Sequence, residues 1–600
     1  MQKDNLVFSA NDKSWLQYLY FQLLIIGVVA FATSWFGIFH LLNVTLFKVY
    51  AVFAALIILT FLVAKPLAWI SAINQKRRLI LLILIPAVLS CFAPPFDWDE
   101  VAYNLGLPAQ YLKFGYFKYI DNYVFYSAFP LFSDALNTTL LKVSNFILPH
   151  ILGIWSYLSL GLITYLFCKL LNIRILFTCL AMTLALCSPS IYSLAPTSKP
   201  DNLIALYTLT SFFLILYSTE TKDKKFGKKA ELLSIVLISF AIGFKYSALY
   251  LMPAYASIVI YIFGYKKQGQ FFKNIGWFAI KGFLIFFAIN SVWLIRNYIE
   301  TGNPIYPLLS NIFPDNLEYH FTPYRNMLVK EFLNSMINMS FTQSHSVLVF
   351  LKNIKGQAFL TPYIFFPVLA IKFLKKNYTH NLIFILVFAT LITLVELFFF
   401  LPWETRHIVT INILMFIVFA YFLSSIITIQ INSRVSFLTY ITCILLFLSK
   451  SFILVKNYPI SCFSFNLNKS LVCGSQKATF GKVAVYLNST LKENDRVALN
   501  IQPFFYLNKS YLFVFPWMER PNLLDSDEPA DMLLKLKSEK ITHIAWWNQG
   551  YSYTTWFDAA KGANLIRWFT NAENNIYLLE KRGFIKEIKV VDGITIYQLQ

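Results

Sequence analysis

The chain reads as a mainly α, polytopic membrane protein that ends in a small α/β domain. Three observations predict this. It is 57% hydrophobic and 14% charged, where soluble domains carry about 25% charged residues. Apolar runs of about 20 residues, the length a helix needs to cross a bilayer, recur along most of the sequence. Beyond residue 477 those runs stop, and short strand and helix patterns replace them.

Apolar runs lie near 15–36, 46–69, 79–95, 147–168, 174–194, 201–217, 232–263, 275–295, 357–373, 381–401, 407–428 and 435–455. The run at 232–263 is too long for one span and too short for two full ones. Gly243-Phe244-Lys245 interrupts it. A re-entrant pair of short helices bending near Lys245 is expected, because helical backbone breaks only where protein or a cavity covers it. The count is then about 13 transmembrane or re-entrant helices. The first 15 residues are mixed polar and no small-residue cleavage site follows, so the first run reads as a span and not a signal peptide.

The net charge of +21 could point to nucleic acid, but the basic residues fall in short clusters between apolar runs: Lys76-Arg77-Arg78, Lys222 to Lys229, Lys266-Lys267 and Lys372 to Lys376. That is the pattern of cytoplasmic loops. No zinc-ligand spacing or RNA-binding signature is present, so the reading has no nucleic-acid partner. A cytoplasmic N-terminus puts every cluster inside. It puts outside the loop at 96–146, the loop at 195–200, the bend at Lys245, the loop at 296–356, the turn at 403–407 and everything after 456. The expectation is a multi-pass protein of the cell (inner) membrane with an extracytoplasmic C-terminal domain.

The organisation follows: a membrane domain over 1–456, a linker over 457–476 and an α/β domain over 477–600. In the outer loop, VAYNLGLPAQYLKFGYF and Leu131 to Val143 read as helices lying in the interface. In the tail, helical periodicity over Phe480 to Leu491 precedes the strand-like RVALNI and YLFVF. A helix over Ala530 to Lys537 follows the acidic run Asp525 to Glu528. ITHIAWW reads as a buried strand, and IKEIKVVDGITIYQL as a hairpin around Asp592-Gly593. No glycine-rich nucleotide fingerprint is present. Five of the seven cysteines lie in or beside apolar runs and read as small core residues. Cys462 and Cys473 lie in a polar stretch, where an oxidising compartment would let them pair.

Four outer-face features can carry chemistry. The first is Asp97-Trp98-Asp99-Glu100, a carboxylate cluster directly after an apolar run. A desolvated carboxylate gains proton affinity and becomes a better base for a hydroxyl. The same residues serve equally well as a helix cap. Asp97-x-Asp99 also has the form that holds a metal–nucleotide sugar in soluble glycosyltransferases, so a divalent metal stays open. The second feature is Lys199-Pro200-Asp201, a helix start with a lysine able to bind phosphate as a point charge. The third is Lys245, an ionisable group inside a long apolar run and by default functional. The fourth is Trp403-Glu404-Thr405-Arg406-His407, between two spans. There Arg406 suits a phosphate through its planar fork, Glu404 would orient it, and His407 could carry a proton. Arg296, at the end of a span, is a further phosphate candidate, with anchoring as the alternative. Carboxylates and cations on one side of a membrane can bind a lipid-linked phosphate and deprotonate an acceptor.

The pattern WDE-x-x-Y resembles the Asp-Glu motif of the C-type (GT-C) glycosyltransferase superfamily. More narrowly, it resembles the family 39 branch of protein O-mannosyltransferases and lipid A aminoarabinose transferases. GFKYSALYLMPA, RNYIETGNPIYP and the small outer C-terminal domain are similar to bacterial members of that branch. The resemblance implies a GT-C-like fold and transfer of a hexosyl or pentosyl group from a polyprenyl phosphate to an extracytoplasmic lipid, glycan or protein. It places Asp99 as the catalytic base with Glu100 beside it, and Lys199, Lys245 and Arg406 around the donor phosphate, whose leaving charge they would stabilise. The chain departs from the mannosyltransferases at Ala128-Phe129-Pro130-Leu131, where those carry His-Pro-Pro. The alternative class is a transporter or flippase of a lipid-linked saccharide, which would place ionisable residues at the bilayer midplane.

Overall fold

The computed structural model describes residues 9–72, 89–118, 127–266, 271–306, 409–426, 467–478, 480–501, 505–514, 528–547 and 568–600, with a few isolated positions between them. Most of these residues are helical. Five described segments are long and apolar enough to cross a membrane: Ala10–Ile38, Ile147–Leu170, Asp201–Glu220, Tyr246–Gly264 and Phe271–Thr301.

Helix α1 (Ala10–Ile38) starts on a capping box in which the Ser9 hydroxyl accepts from the Asp12 amide and the Asp12 carboxylate accepts from Ser9, so two orphan donors of the first turn are satisfied. Helix α2 (Thr45–Ala72) packs beside it. The outer segment then forms a π-helical turn at Glu100–Asn104, helix α3 (Gly106–Phe114) and helix α4 (Phe132–Ser144). The sequence places α4 in the membrane interface. In the structure it is buried from Phe132 to Leu141 and packs on α1, α2 and α3. Its polar residues, among them Asp134, Asn137 and Thr138, face protein.

Helices α5 (Ile147–Leu170), α6 (Ile175–Cys187) and α7 (Asp201–Glu220) follow. Helix α7 is the centre of the bundle, with every side chain from Asp201 to Tyr217 buried. It holds α1 through the Tyr207 hydroxyl, which donates to the Leu23 carbonyl at 2.5 Å. It also holds α8 (Lys224–Phe244) through a reciprocal Ser211–Ser234 pair. The long apolar run breaks at Lys245, whose backbone is extended (φ −168°, ψ 143°). A 3-10 turn (Tyr246–Leu251) and α9 (Met252–Tyr261) come next.

The break lies where the sequence places it, but the pieces are longer than a short re-entrant pair. Good helix formers in the lysine-rich stretch start α8 well before the apolar residues, so α8 has 21 residues and the segment after the break has 19. Helix α10 (Phe271–Thr301) keeps much of its apolar surface open, including Phe272, Phe283 and Phe287, as a lipid-facing helix does. Helix α11 (Val409–Ile426) packs on α6 and α7.

The C-terminal region is built on a sheet of order β2-β1-β3-β5-β4. Strands β1 (Arg496–Leu499), β2 (Ser510–Phe513) and β3 (His543–Trp547) are parallel neighbours, while β5 (Ile594–Leu599) runs antiparallel to both β3 and β4 (Ile585–Val591). The β4–β5 turn places Asp592 at φ 54° and Gly593 at φ 78°, the left-handed pair that a tight hairpin requires. Helices α13 (Gly481–Thr490) and α14 (Pro529–Ser538) match the sequence reading. A further helix, α15, covers 568–581.

The stretch expected as a linker carries helix α12 (Leu467–Lys477), which packs on α13. Its polar sequence conceals a helix because one short apolar face suffices for that contact. Cys473 on this helix is joined to Cys462 by a disulfide.

Candidate active site

The π-turn and the 197–199 segment meet just outside the bundle and bring three of the singled-out residues together. The Lys199 ammonium lies 2.7 Å from Asp97 Oδ1 and 3.3 Å from Asp99 Oδ2. The lysine side chain is 10% exposed, against 20% for Asp99 and 35% for Asp97, so the cluster opens to solvent on its aspartate side.

The capping function falls to Asp97, whose carboxylate accepts from the Glu100 amide at 3.4 Å. Asp99 makes no side-chain cap contact; its carboxylate is turned to the lysine. The D-x-D pair therefore grips an ammonium ion. Among the described residues no group of three or more His, Cys, Asp or Glu is arranged to hold a metal.

Glu100 points the opposite way. Its Oε1 accepts from the Ser198 amide at 2.8 Å and contacts His150 Nε2 at 2.8 Å. The His150 Nδ1 lies 3.2 Å from the Cys91 carbonyl. Burial would raise the Glu100 pKa, but the attraction of His150 and the hydrogen bonds from His150 and Ser198 outweigh it and hold the carboxyl below its ordinary value. Glu100 is thus a structural partner of the loop that carries Lys199. It is fully buried, and its carboxylate faces His150 and the Ser198 amide and not the Lys199 ammonium.

The rest of the frame is amide chemistry. The Asn137 side chain donates to the Asn104 carbonyl at 2.9 Å and the Ser198 carbonyl at 3.3 Å. The Asn104 side chain donates to the Asp99 carbonyl at 3.1 Å. Helix α4 thereby holds both halves of the cluster. Gly153 lets the 195–199 segment lie directly on α5, since a Cβ there would strike the carbonyl oxygens of Ala195 and Thr197. A narrow cavity between Asn137, Gly153, Ser198 and Lys199 has room for about one water.

The other candidates separate. Asp201, in the first turn of α7, pairs with Lys245 at 2.9 Å, and the aspartate is almost fully buried. Lys245 thus joins the start of α7 to the break after α8 and is engaged there. Arg296 is a clamp: its guanidinium donates to the carbonyls of Phe117, Lys118 and Ser127 at 3.4, 3.3 and 2.6 Å. Three of its five N–H donors go to backbone, as the anchoring alternative expects. Asp134 lies beside it, and burial, only partly offset by the Arg296 charge, pushes its carboxyl up to about 8. Glu404, Arg406 and His407 lie outside the described residues.

Sequence reasoning passed over His150, Asn137 and Ser198. His150 did carry a signal, as an ionisable group in an apolar run. The two others are ordinary polar residues whose role exists only through distant partners.

The C-terminal region reaches this site. The Tyr506 hydroxyl donates to the Pro95 carbonyl at 2.6 Å, and the Phe505 amide donates to the Val101 carbonyl at 3.0 Å. Lys113 Nζ donates to the Leu507 carbonyl at 3.4 Å. Burial, with the Glu100 charge added, raises the Tyr506 phenol far above its ordinary pKa.

No protein-family profile and no curated protein matches the sequence. The structure is similar to two crystal structures of ArnT from Cupriavidus metallidurans. The one bound to undecaprenyl phosphate has 12% identity and a TM-score of 0.52, covering 87% of this chain and 98% of that chain. The one in the apo state has 11% identity and a TM-score of 0.47, with the same coverage. At such identity the likeness to the first of these is one of fold.

Proposed function

We propose that this protein is a membrane glycosyltransferase that moves a sugar from a polyprenyl-phosphate donor to a lipid, glycan or protein acceptor on the extracytoplasmic face. The observation that carries the reading is the Asp97–Lys199–Asp99 cluster, held on a buried frame at the edge of a bundle. Support for the donor class comes from the similar ArnT structure, which binds undecaprenyl phosphate.

In this reading Asp99 is the general base and Lys199 the first cation for the donor phosphate. A phosphate that took the Lys199 ammonium would release the Asp99 carboxylate from it. The acceptor hydroxyl then gives its proton to Asp99 while its oxygen attacks the anomeric carbon. The bond from that carbon to the phosphate oxygen breaks, its electron pair stays with the phosphate, and polyprenyl phosphate leaves. Lys245, with Asp201, and Arg406, with Glu404 and His407 beside it, are the further groups proposed around the phosphate. The proposed topology has the N-terminus in the cytoplasm and the C-terminal sheet outside the cell membrane.

The test is the purified protein in liposomes with polyprenyl-phosphate sugars labelled in the sugar. Asp99→Asn should cut release of polyprenyl phosphate by about 10²- to 10⁴-fold, the usual worth of a general base, without lowering the melting temperature. Wild-type protein that carries label across the bilayer with no release, equally in Asp99→Asn, would establish the transporter reading instead.

A further inference from the structure

The C-terminal sheet carries a cleft of its own. Between α15 and strands β3 and β5 lies a cleft of about 320 Å³, within the range of small-molecule sites, roughly 300–1,000 Å³. Three aromatic side chains line it: Trp546, Tyr577 and Tyr597. So do two carboxylates, Glu573 and Glu580, and the amide of Asn574.

We propose that this cleft binds a saccharide, with a preference for one that carries a free amino group. A sugar has apolar C–H faces and a rim of hydroxyls. The cleft offers the complement of each: flat rings for the faces, and charged acceptors that make stronger hydrogen bonds than neutral ones. Tyr577 is 59% exposed, which leaves a large aromatic side chain open to a ligand. Trp546 is 3% exposed and its ring packs against Trp568 and Phe569, which makes it a fixed wall of the cleft.

The charge narrows the class further. Glu573 and Glu580 both line the cleft beside Tyr597, whose phenol is pushed up to about 12 by burial first and by the neighbouring glutamates second. Two carboxylates in one cleft repel a phosphate or an acidic lipid headgroup and attract an ammonium. The cleft is thus distinct in chemistry from the Lys199 cluster. The inference stands whether or not that cluster is catalytic.

The experiment uses the full chain in detergent. Saturation-transfer NMR and tryptophan fluorescence are recorded with a glucosamine trisaccharide, its N-acetylated counterpart, inorganic phosphate and a trilysine peptide. Saturable binding of the glucosamine trisaccharide is expected, weaker binding of the acetylated one, and none of phosphate. Tyr577→Ala, an exposed position that folding does not need, and Glu580→Gln should each weaken binding by about ten-fold. Absence of saturation by either sugar overturns the inference, as does sugar binding untouched by both variants. Binding of trilysine without sugar also overturns it, since the cleft would then be a peptide cation site. None of these outcomes depends on transferase activity.

Discussion

Asp99 and Glu100 are neighbours in sequence with opposite situations. The π-turn sends one carboxylate toward solvent and Lys199, and the other into the protein toward His150 and the Ser198 amide. Removing one partner of a buried charged pair leaves the other uncompensated, at a cost of about 3–5 kcal/mol. Glu100→Gln should therefore lower stability as well as activity. The pH dependence has a definite sign. The folded-state pKa of Glu100 lies below its unfolded value, so its contribution is present above the unfolded pKa, about 4.3, and is lost as pH falls through the folded value. Melting curves of wild type should show destabilisation on acidification below that range, and Glu100→Gln should flatten that slope. An unchanged slope in the variant would show that the pair carries no linkage.

At the scale of elements, the site is a junction of helix ends. Helix α4 contributes Asn137, α5 contributes His150 and the close approach at Gly153, and the start of α7 contributes Asp201. Lys245 ties α7 to the break after α8. Lys245→Ala should leave the buried Asp201 carboxylate without its cation and destabilise the fold by about 3–5 kcal/mol, with Asp201→Asn restoring most of the loss in the double variant. Thermal melting of the three variants checks this. A Lys245→Ala protein as stable as wild type but weaker for donor would return the lysine to the phosphate role alone. The sequence marked Lys245 as costly in an apolar run, and the chain does break there. The cation's partner was not legible, because Asp201 lies 44 residues away and looked like a helix cap.

At the scale of the whole molecule, the C-terminal region is packed onto the outer segment that carries Asp97 and Asp99, through Phe505, Tyr506 and Leu507. Tyr506→Phe keeps the ring and removes the hydrogen bond to Pro95, a loss of about 1 kcal/mol in stability. Turnover should fall by more than that small loss explains if the contact positions the π-turn. Equal turnover in Tyr506→Phe would mean that the contact only anchors the region.

The sequence alone determined the helical bundle, the five described spans, and the strands and hairpin of the tail, because hydropathy, period and turn chemistry are local and survive in a single chain; most of the apolar runs at 79–95, 357–373, 381–401 and 435–455 lies outside the described residues. Tertiary structure alone decided that Glu100 turns inward, that Arg296 holds backbone, that Asp201 takes Lys245 and that a helix occupies 467–477. Each of these depends on a partner far along the chain, and a residue's own neighbours carry no record of which distant group burial will bring to it.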